Sequence, residues 1–149
     1  MIRKYQPQDE DAVIHVWLEA SVIAHHFIPR SYWENNTVNM RKIYIPQSET
    51  FVHTDDTTGE VTGFISLSGD YLAAIFVNPA RQGEGIGQAL MAHAKLSHEQ
   101  LELQVYTENK QAIAFYRKQG FTVEREQTDE HTGHREFVMV YSRGAITQK

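Results

Sequence analysis

The stretch Asn78-Pro79-Ala80-Arg81-Gln82-Gly83-Glu84-Gly85-Ile86-Gly87 decides how the chain is read. The apolar run Leu72 to Val77 leads into it, and Ile86, Leu90, Met91 and Ala94, at helical spacing, lead out of it. The glycines therefore fall between a buried strand and an amphipathic helix. Glycines at alternate positions, 83, 85 and 87, strip the backbone of side chains. Several N–H groups can then converge on one anion, with the helix N-terminus behind them. Taken alone, such a turn is equally a tight strand-to-helix connection in which glycine only permits positive φ. Two other phosphate loops do not fit. A P-loop needs Lys-Ser or Lys-Thr after its last glycine, and neither dipeptide occurs in the chain. A dinucleotide fingerprint, Gly-x-Gly-x-x-Gly, follows a first strand; here the third glycine comes one residue too early and the loop lies past the middle of the chain.

Outward from the loop, the helix is expected to run to about Ser97, and Leu101, Leu103 and Val105 alternate with Glu102 and Gln104 as in a half-buried strand. A helix follows over about Lys110 to Gln119, with Gly120 as its C-cap. Strands around Phe121 to Glu126 and Glu136 to Tyr141 flank a turn-rich Thr128 to His134, read as an exposed hairpin loop. Upstream, Thr50 to Thr54, Val61 to Ser68 and Tyr71 to Val77 are strands joined by the turn signals Asp55 to Gly59 and Gly69-Asp70, an antiparallel meander. At the start, Ile2 to Tyr5 is a short strand and Asp9 the N-cap of a helix burying Val13, Val16, Trp17 and Ala20. Pro29 opens a second helix to about Tyr44, with Tyr32, Trp33, Met40 and Ile43 on its buried side. The order β-α-α-β-β-β-α-β-α-β-β predicts an α/β (α+β) fold: a mixed central sheet in which an antiparallel meander gives way to a parallel βαβ crossover, with helices on both faces. The glycine loop and the Tyr106 to Asn109 loop then share one sheet edge.

At 149 residues with 41% apolar content, the chain reads as a single domain, 1–149, with a polar and loose tail over 143–149. A net charge of −5 argues against nucleic acid as a partner and against an anionic membrane surface. The absence of cysteine removes disulfides, thiolate nucleophiles and Cys-ligated metal. The N-terminal residues lack the apolar run of a signal peptide, and no stretch reaches the roughly 18 apolar residues of a membrane span. A cytoplasmic protein is expected.

Gln82-x-x-Gly85-x-Gly87, between strand and helix, resembles the acyl-CoA pyrophosphate loop of the GNAT superfamily of N-acetyltransferases. A second family pattern matches Asn109-Lys110-Gln111-Ala112-Ile113-Ala114-Phe115-Tyr116, followed by Gly120-Phe121. The element order is similar to that fold over nearly the whole chain. A closer likeness, to small bacterial members of the YiaC type, is carried by Trp17-Leu18-Glu19, His25-x-Phe27-Ile28, Tyr32-Trp33, Leu72-Ala73-Ala74, Phe76-Val77 and Gly85-Ile86-Gly87. The resemblance implies acetyl-CoA as co-substrate and direct transfer to a primary amine, on a small molecule or a protein lysine. It also implies that the strands on either side of the glycine-loop helix splay apart. Ile75, Phe76 and Val77 would then offer backbone to the pantetheine arm, and Gln82, Gly83, Gly85, Ile86 and Gly87 would hold the pyrophosphate. Asn109 would contact the pantetheine, and Tyr116 would sit beside the sulfur as the catalytic acid.

Such transfer needs a neutral amine, a polarised carbonyl and a protonated leaving thiolate. Tyr116 fits the last role, although by helical pattern alone it is a core aromatic like Phe115. No carboxylate lies on Leu72 to Val77; Asp70 reads as a turn residue and Glu102 as a solvated face position, so a water chain is the other candidate base. His25, His26 and Phe27 lie in the segment that borders the acceptor site in the family. A histidine there is a base or substrate contact if it titrates near neutrality, and otherwise a solvent-exposed or helix-capping pair. No metal is expected: adjacent histidines do not easily share an ion, and His131 and His134, which with Asp129 and Glu130 could bind one, read more simply as part of an exposed hairpin loop. Two rival readings stay open: a non-catalytic acyl-CoA-binding or sensing module, and a toxin-like acetyltransferase acting on aminoacyl-tRNA.

Overall fold

A computed structural model describes residues 1–146. Its seven strands are β1 (Ile2–Lys4), β2 (Glu49–Thr54), β3 (Val61–Ser68), β4 (Tyr71–Val77), β5 (Gln100–Tyr106), β6 (Thr122–Thr128) and β7 (Arg135–Ser142). They form one sheet in the order β1-β2-β3-β4-β5-β7-β6, antiparallel except for the parallel β4–β5 pair. The helices are α1 (Glu10–Ala24), α2 (Arg30–Asn35), α3 (Thr37–Asn39), α4 (Ile86–Ser97), α5 (Lys110–Lys118) and α6 (Arg143–Ile146). The expected mixed sheet and crossover are present.

Alternation along the strands gives the sheet two apolar faces. Leu101, Leu103 and Met139 pack with Leu90 and Met91 of α4 and with Phe121 on one face. Val52 and Phe64 pack with Val13 and Trp17 of α1 and with Trp33 on the other. Each such side chain contributes about 1.5–3 kcal/mol on burial. Gly63 lets α4 lie close on β3: a Cβ there would meet the Phe76 carbonyl oxygen at 3.0 Å and Ile86 Cγ2 at 3.1 Å.

Three local expectations need correction. Asp9 occupies the N-cap position of α1 as expected, but its side chain makes no cap hydrogen bond. It lies in a 3₁₀ turn, Pro7–Asp9, where its carboxylate accepts the Gln6 N–H at 2.8 Å and a two-pronged bond from Arg3 at 2.8 and 2.9 Å. The Arg3 hydrogen bond holds the buried carboxyl below its ordinary pKa. The second helix does not run unbroken to Tyr44. Asn36 Nδ2 donates to the Tyr32 carbonyl at 2.7 Å and Thr37 Oγ1 to the Glu34 carbonyl at 2.8 Å, drawing carbonyls away from the helix ladder. Met40–Tyr44 then takes a π-helical turn in which the Ile45 N–H reaches the Met40 carbonyl at 3.0 Å. The wider turn rotates the side chains, so Ile43 is exposed and Ile45 is buried in its place. Finally, the tail begins as the helical turn α6, with Arg143 donating its N–H to the Glu99 carbonyl and its guanidinium to the His98 carbonyl. The remainder of the expected loose tail, 147–149, lies outside the described residues.

Candidate active site

The parallel strands β4 and β5 pair at one position, Tyr71 opposite Glu102, where the Glu102 N–H meets the Asp70 carbonyl at 2.9 Å. Beyond it they part. Leu72 to Val77 and Leu103 to Tyr106 line opposite sides of a cleft of about 580 Å³. From Leu72 onward the β5-facing edge of β4 has no strand partner among the described residues, which leaves main-chain polar groups open to a ligand. Ile75, Phe76 and Val77 lie on that edge.

The glycine loop closes one end of the cleft. Gly83 (φ 86°) and Gly85 (φ 82°) are left-handed, and Gly85 caps α4, so a side chain at either would strain the backbone. Neither has an atom near its missing Cβ, so the space above them is free. The N–H groups in the first turn of α4 have no partner within the helix and carry its positive end. Gln82, Ile86 and Gly87 also line the cleft. Arg81 fixes the loop: its guanidinium bonds Glu84 at 3.0 Å and reaches Asp55 of the β2–β3 turn at 2.9 Å.

α5 forms the opposite wall. Asn109 caps it, its Oδ1 accepting the Ala112 N–H at 3.3 Å. Asn109 Nδ2 donates to His25 Nε2 at 3.3 Å. Tyr116, two turns on, is half-buried in the cleft, its ring 5.6 Å from Phe115 and 5.8 Å from Phe121. Shielding from water, and then the nearby Tyr71, push its phenol above the ordinary value, so it is neutral at physiological pH.

His25 lines the cleft but does not titrate near neutrality. It is 8% exposed, stacks on Trp33 with ring centroids 5.0 Å apart, and burial lowers its pKa to about 4. Neither His26 nor Phe27 lines the main cleft. His26 is exposed beside a smaller hollow of about 220 Å³ bordered by Gln82, Glu108 and Asn109. Phe27 is half-buried, 5.6 Å from the Tyr106 ring and 5.0 Å from His134.

The carboxylates in the cleft are not the two the sequence offers as base candidates. Asp70 is exposed and accepts a bond from Gln100 at 3.1 Å, and neither it nor Glu102 reaches the lining. Asp129 and Glu136 do. The hairpin loop is exposed at Thr128, Glu130, His131 and Gly133 as expected, but Asp129 is half-buried and accepts the Tyr106 hydroxyl and the His131 N–H. Burial raises the Asp129 pKa, but these donors and Thr132 outweigh it and leave the group below its ordinary value. Glu136, 7% exposed, accepts Gln127 Nε2 at 2.6 Å on Oε2. The overlooked sequence signal was an acidic residue at the head of the apolar strand Phe137 to Tyr141. Tyr71 lines the same cleft and donates its hydroxyl to Gln104 Oε1 at 3.3 Å; burial raises its pKa, with Glu136, Glu102 and Asp129 adding to the shift.

Residues 46–123 match the acetyltransferase (GNAT) domain. The chain is 38% identical over 124 residues to the peptidyl-lysine N-acetyltransferase YiaC of Escherichia coli strain K12, covering 83% of this chain and 84% of that protein. It is 30% identical over 122 residues to the peptidyl-lysine N-acetyltransferase YjaB of Salmonella typhimurium, covering 82% and 83%. The solution structure of apo YjaB from Escherichia coli superposes with a TM-score of 0.83 at 25% identity, covering 95% of this chain and 96% of that one. Over the described residues no helix is long and apolar enough to cross a membrane. With its splayed strands, glycine loop and Asn109–Tyr116 helix, the chain belongs to the GNAT family of acetyltransferases and is an N-acetyltransferase.

Proposed function

We propose that this enzyme takes acetyl-CoA into the β4–β5 cleft and transfers the acetyl group to the side-chain amine of a lysine in a protein or peptide. The observation that carries the reading is the cleft itself. It opens along an unpaired strand edge, begins at a left-handed glycine turn on a helix N-terminus, and contains the Tyr116 side chain. The open space over Gly83 and Gly85 fits a diphosphate group, and a Cβ at either position would need a strained φ. The names of the two curated relatives supply the lysine.

In this reading acetyl-CoA supplies an activated acyl group on a thioester. The main chain of Gln82, Gly83, Gly85, Ile86 and Gly87 binds the diphosphate through N–H groups and helix charge. The backbone of Ile75, Phe76 and Val77 aligns the pantetheine as an added strand, with Asn109 beside it. Tyr116 gives its phenolic proton to the departing sulfur. The mouth beside His25, His26 and Phe27 admits the acceptor, and neutral His25 holds Asn109 in place there.

The test is an acceptor screen with purified protein and acetyl-CoA, following thiol release and locating the acetyl group by mass spectrometry. Lysine peptides, peptides with only a free α-amine, and small polyamines form the panel. Acetylation at the lysine Nε is expected. Turnover confined to small amines or α-amines would overturn the lysine assignment.

A further inference from the structure

The geometry points to Glu136 as the group that receives the ammonium of the acceptor and takes its proton before the nitrogen attacks. The inference rests on the cleft being the acetyl-transfer site.

A lysine side chain reaches an enzyme protonated, and its nitrogen has no lone pair to attack with until a base removes that proton. β4 carries no carboxylate, and Asp70 and Glu102 lie outside the lining. His25 is within it, but its Nε2 lone pair is occupied by Asn109. That leaves Asp129 and Glu136. Asp129 has both oxygens engaged, Oδ2 by the Tyr106 hydroxyl and Oδ1 by the His131 N–H. Glu136 is different. Gln127 anchors its Oε2 at 2.6 Å, while Oε1 has no hydrogen-bond partner among the described residues. The residue is more than nine-tenths buried, yet its Oε1 is not one of the buried unpartnered atoms and so opens to the cleft, where a cation can reach it. The free oxygen belongs to a residue lining the 580 Å³ cleft that also holds Tyr116.

The surroundings suit a lysine. Tyr71 and Tyr106 line the same cleft, and Tyr106 packs edge-on against Phe27 at 5.6 Å. Aromatic faces of this kind cover a methylene stem while the charged tip passes on to a carboxylate. Asp129 adds a second carboxylate to the lining of the same cleft.

The step balances. The ammonium gives one proton to Glu136 Oε1, and the freed lone pair forms the N–C bond at the thioester carbonyl. The C–S bond breaks, the sulfur takes the Tyr116 proton, and the phenolate recovers one from the second N–H of the former amine. The products are an amide, a thiol and one proton, which Glu136 returns to water.

The experiment compares two acceptor peptides that differ at one atom: a lysine peptide, and its aminooxy counterpart, whose nucleophile is neutral at pH 7 and needs no base. Wild type should acetylate both. Glu136→Gln should lose roughly 10²–10⁴-fold in kcat/KM on the lysine peptide, the usual worth of a general base, and less than about tenfold on the aminooxy peptide. The KM for acetyl-CoA should not change. Glu136→Asp keeps the charge and should recover part of the lysine activity; the same two-peptide comparison applies to it if the Gln variant melts early. Equal losses on the two peptides, or none on lysine, overturn the assignment. Wild type acting on the aminooxy peptide alone also overturns it, while wild type acting on neither defeats the lysine-transfer reading itself.

Discussion

Asn109 Nδ2 and His25 Nε2 lie 3.3 Å apart, joining residues 84 positions apart in sequence. The bond ties the end of α1 to the start of α5 across the cleft mouth. Since Nδ2 of Asn109 only donates, Nε2 of His25 accepts, and the imidazole proton sits on Nδ1. That Nδ1 is buried without a partner among the described residues, as are Ser21 Oγ and Trp33 Nε1. A charged His25 would lose this acceptor and bring a cation into an aromatic pocket, a cost that the Ser21 carbonyl offsets only in part.

Acid sensitivity follows. The His25 pKa is depressed from 6.5 to about 4 in the fold, so between those values the unfolded chain binds more protons than the native one. Stability contributed by neutral His25 is complete above pH 6.5 and is lost as pH falls toward 4. At 1.36 kcal/mol per unit the loss is about 3 kcal/mol. Urea melts at pH 7, 6, 5 and 4 should show it, and His25→Gln, which cannot titrate, should flatten that limb. An unchanged acid limb in a folded His25→Gln protein would contradict the buried-neutral assignment.

Two substitutions at Gly85 separate backbone strain from charge. Gly85 has φ 82° with open space at its missing Cβ, so alanine there meets no clash but takes on left-handed strain of about 1–2 kcal/mol. Gly85→Glu takes on the same strain and adds a negative charge at the N-terminus of α4. Thermal melts should show similar losses for the two variants. In calorimetric titrations CoA should bind weakly to Gly85→Ala and not measurably to Gly85→Glu. Equal CoA affinity in the two would place the diphosphate elsewhere.

Much of this was legible because local chemistry agreed with the fold. The glycine loop, the alternation of Leu101, Leu103 and Val105, and the C-terminal Gly120 (φ 96°) each constrain the backbone through their own residues. The break near Asn36 was not legible, because it depends on side-chain amide and hydroxyl groups that compete for carbonyls once the helix exists. The carboxylates of the cleft were hidden for another reason. Glu136 reaches the site through its register with Tyr106 across the sheet, a pairing of residues 30 positions apart that β7 alone does not announce. The histidine pair was visible as a pair, but its division into a buried neutral His25 and an exposed His26 is a tertiary outcome.

Tyr116 gives the sharpest kinetic prediction. Its ring is held by Phe115 and Phe121, while its hydroxyl has no hydrogen-bond partner among the described residues. Tyr116→Phe therefore keeps the packing and leaves no buried group orphaned, so stability should change by no more than about 0.5 kcal/mol. The raised phenol pKa keeps the proton in place at neutral pH, and deletion of the oxygen removes the donor outright. If that donor protonates the leaving sulfur, single-turnover acetyl transfer should slow by roughly 10²–10⁴-fold with CoA affinity nearly unchanged. Single-turnover measurement matters because a slow product-release step would mask the effect in kcat. A Tyr116→Phe enzyme that transfers acetyl at the wild-type rate in one turnover would remove Tyr116 from the chemistry and leave it a packing residue of α5.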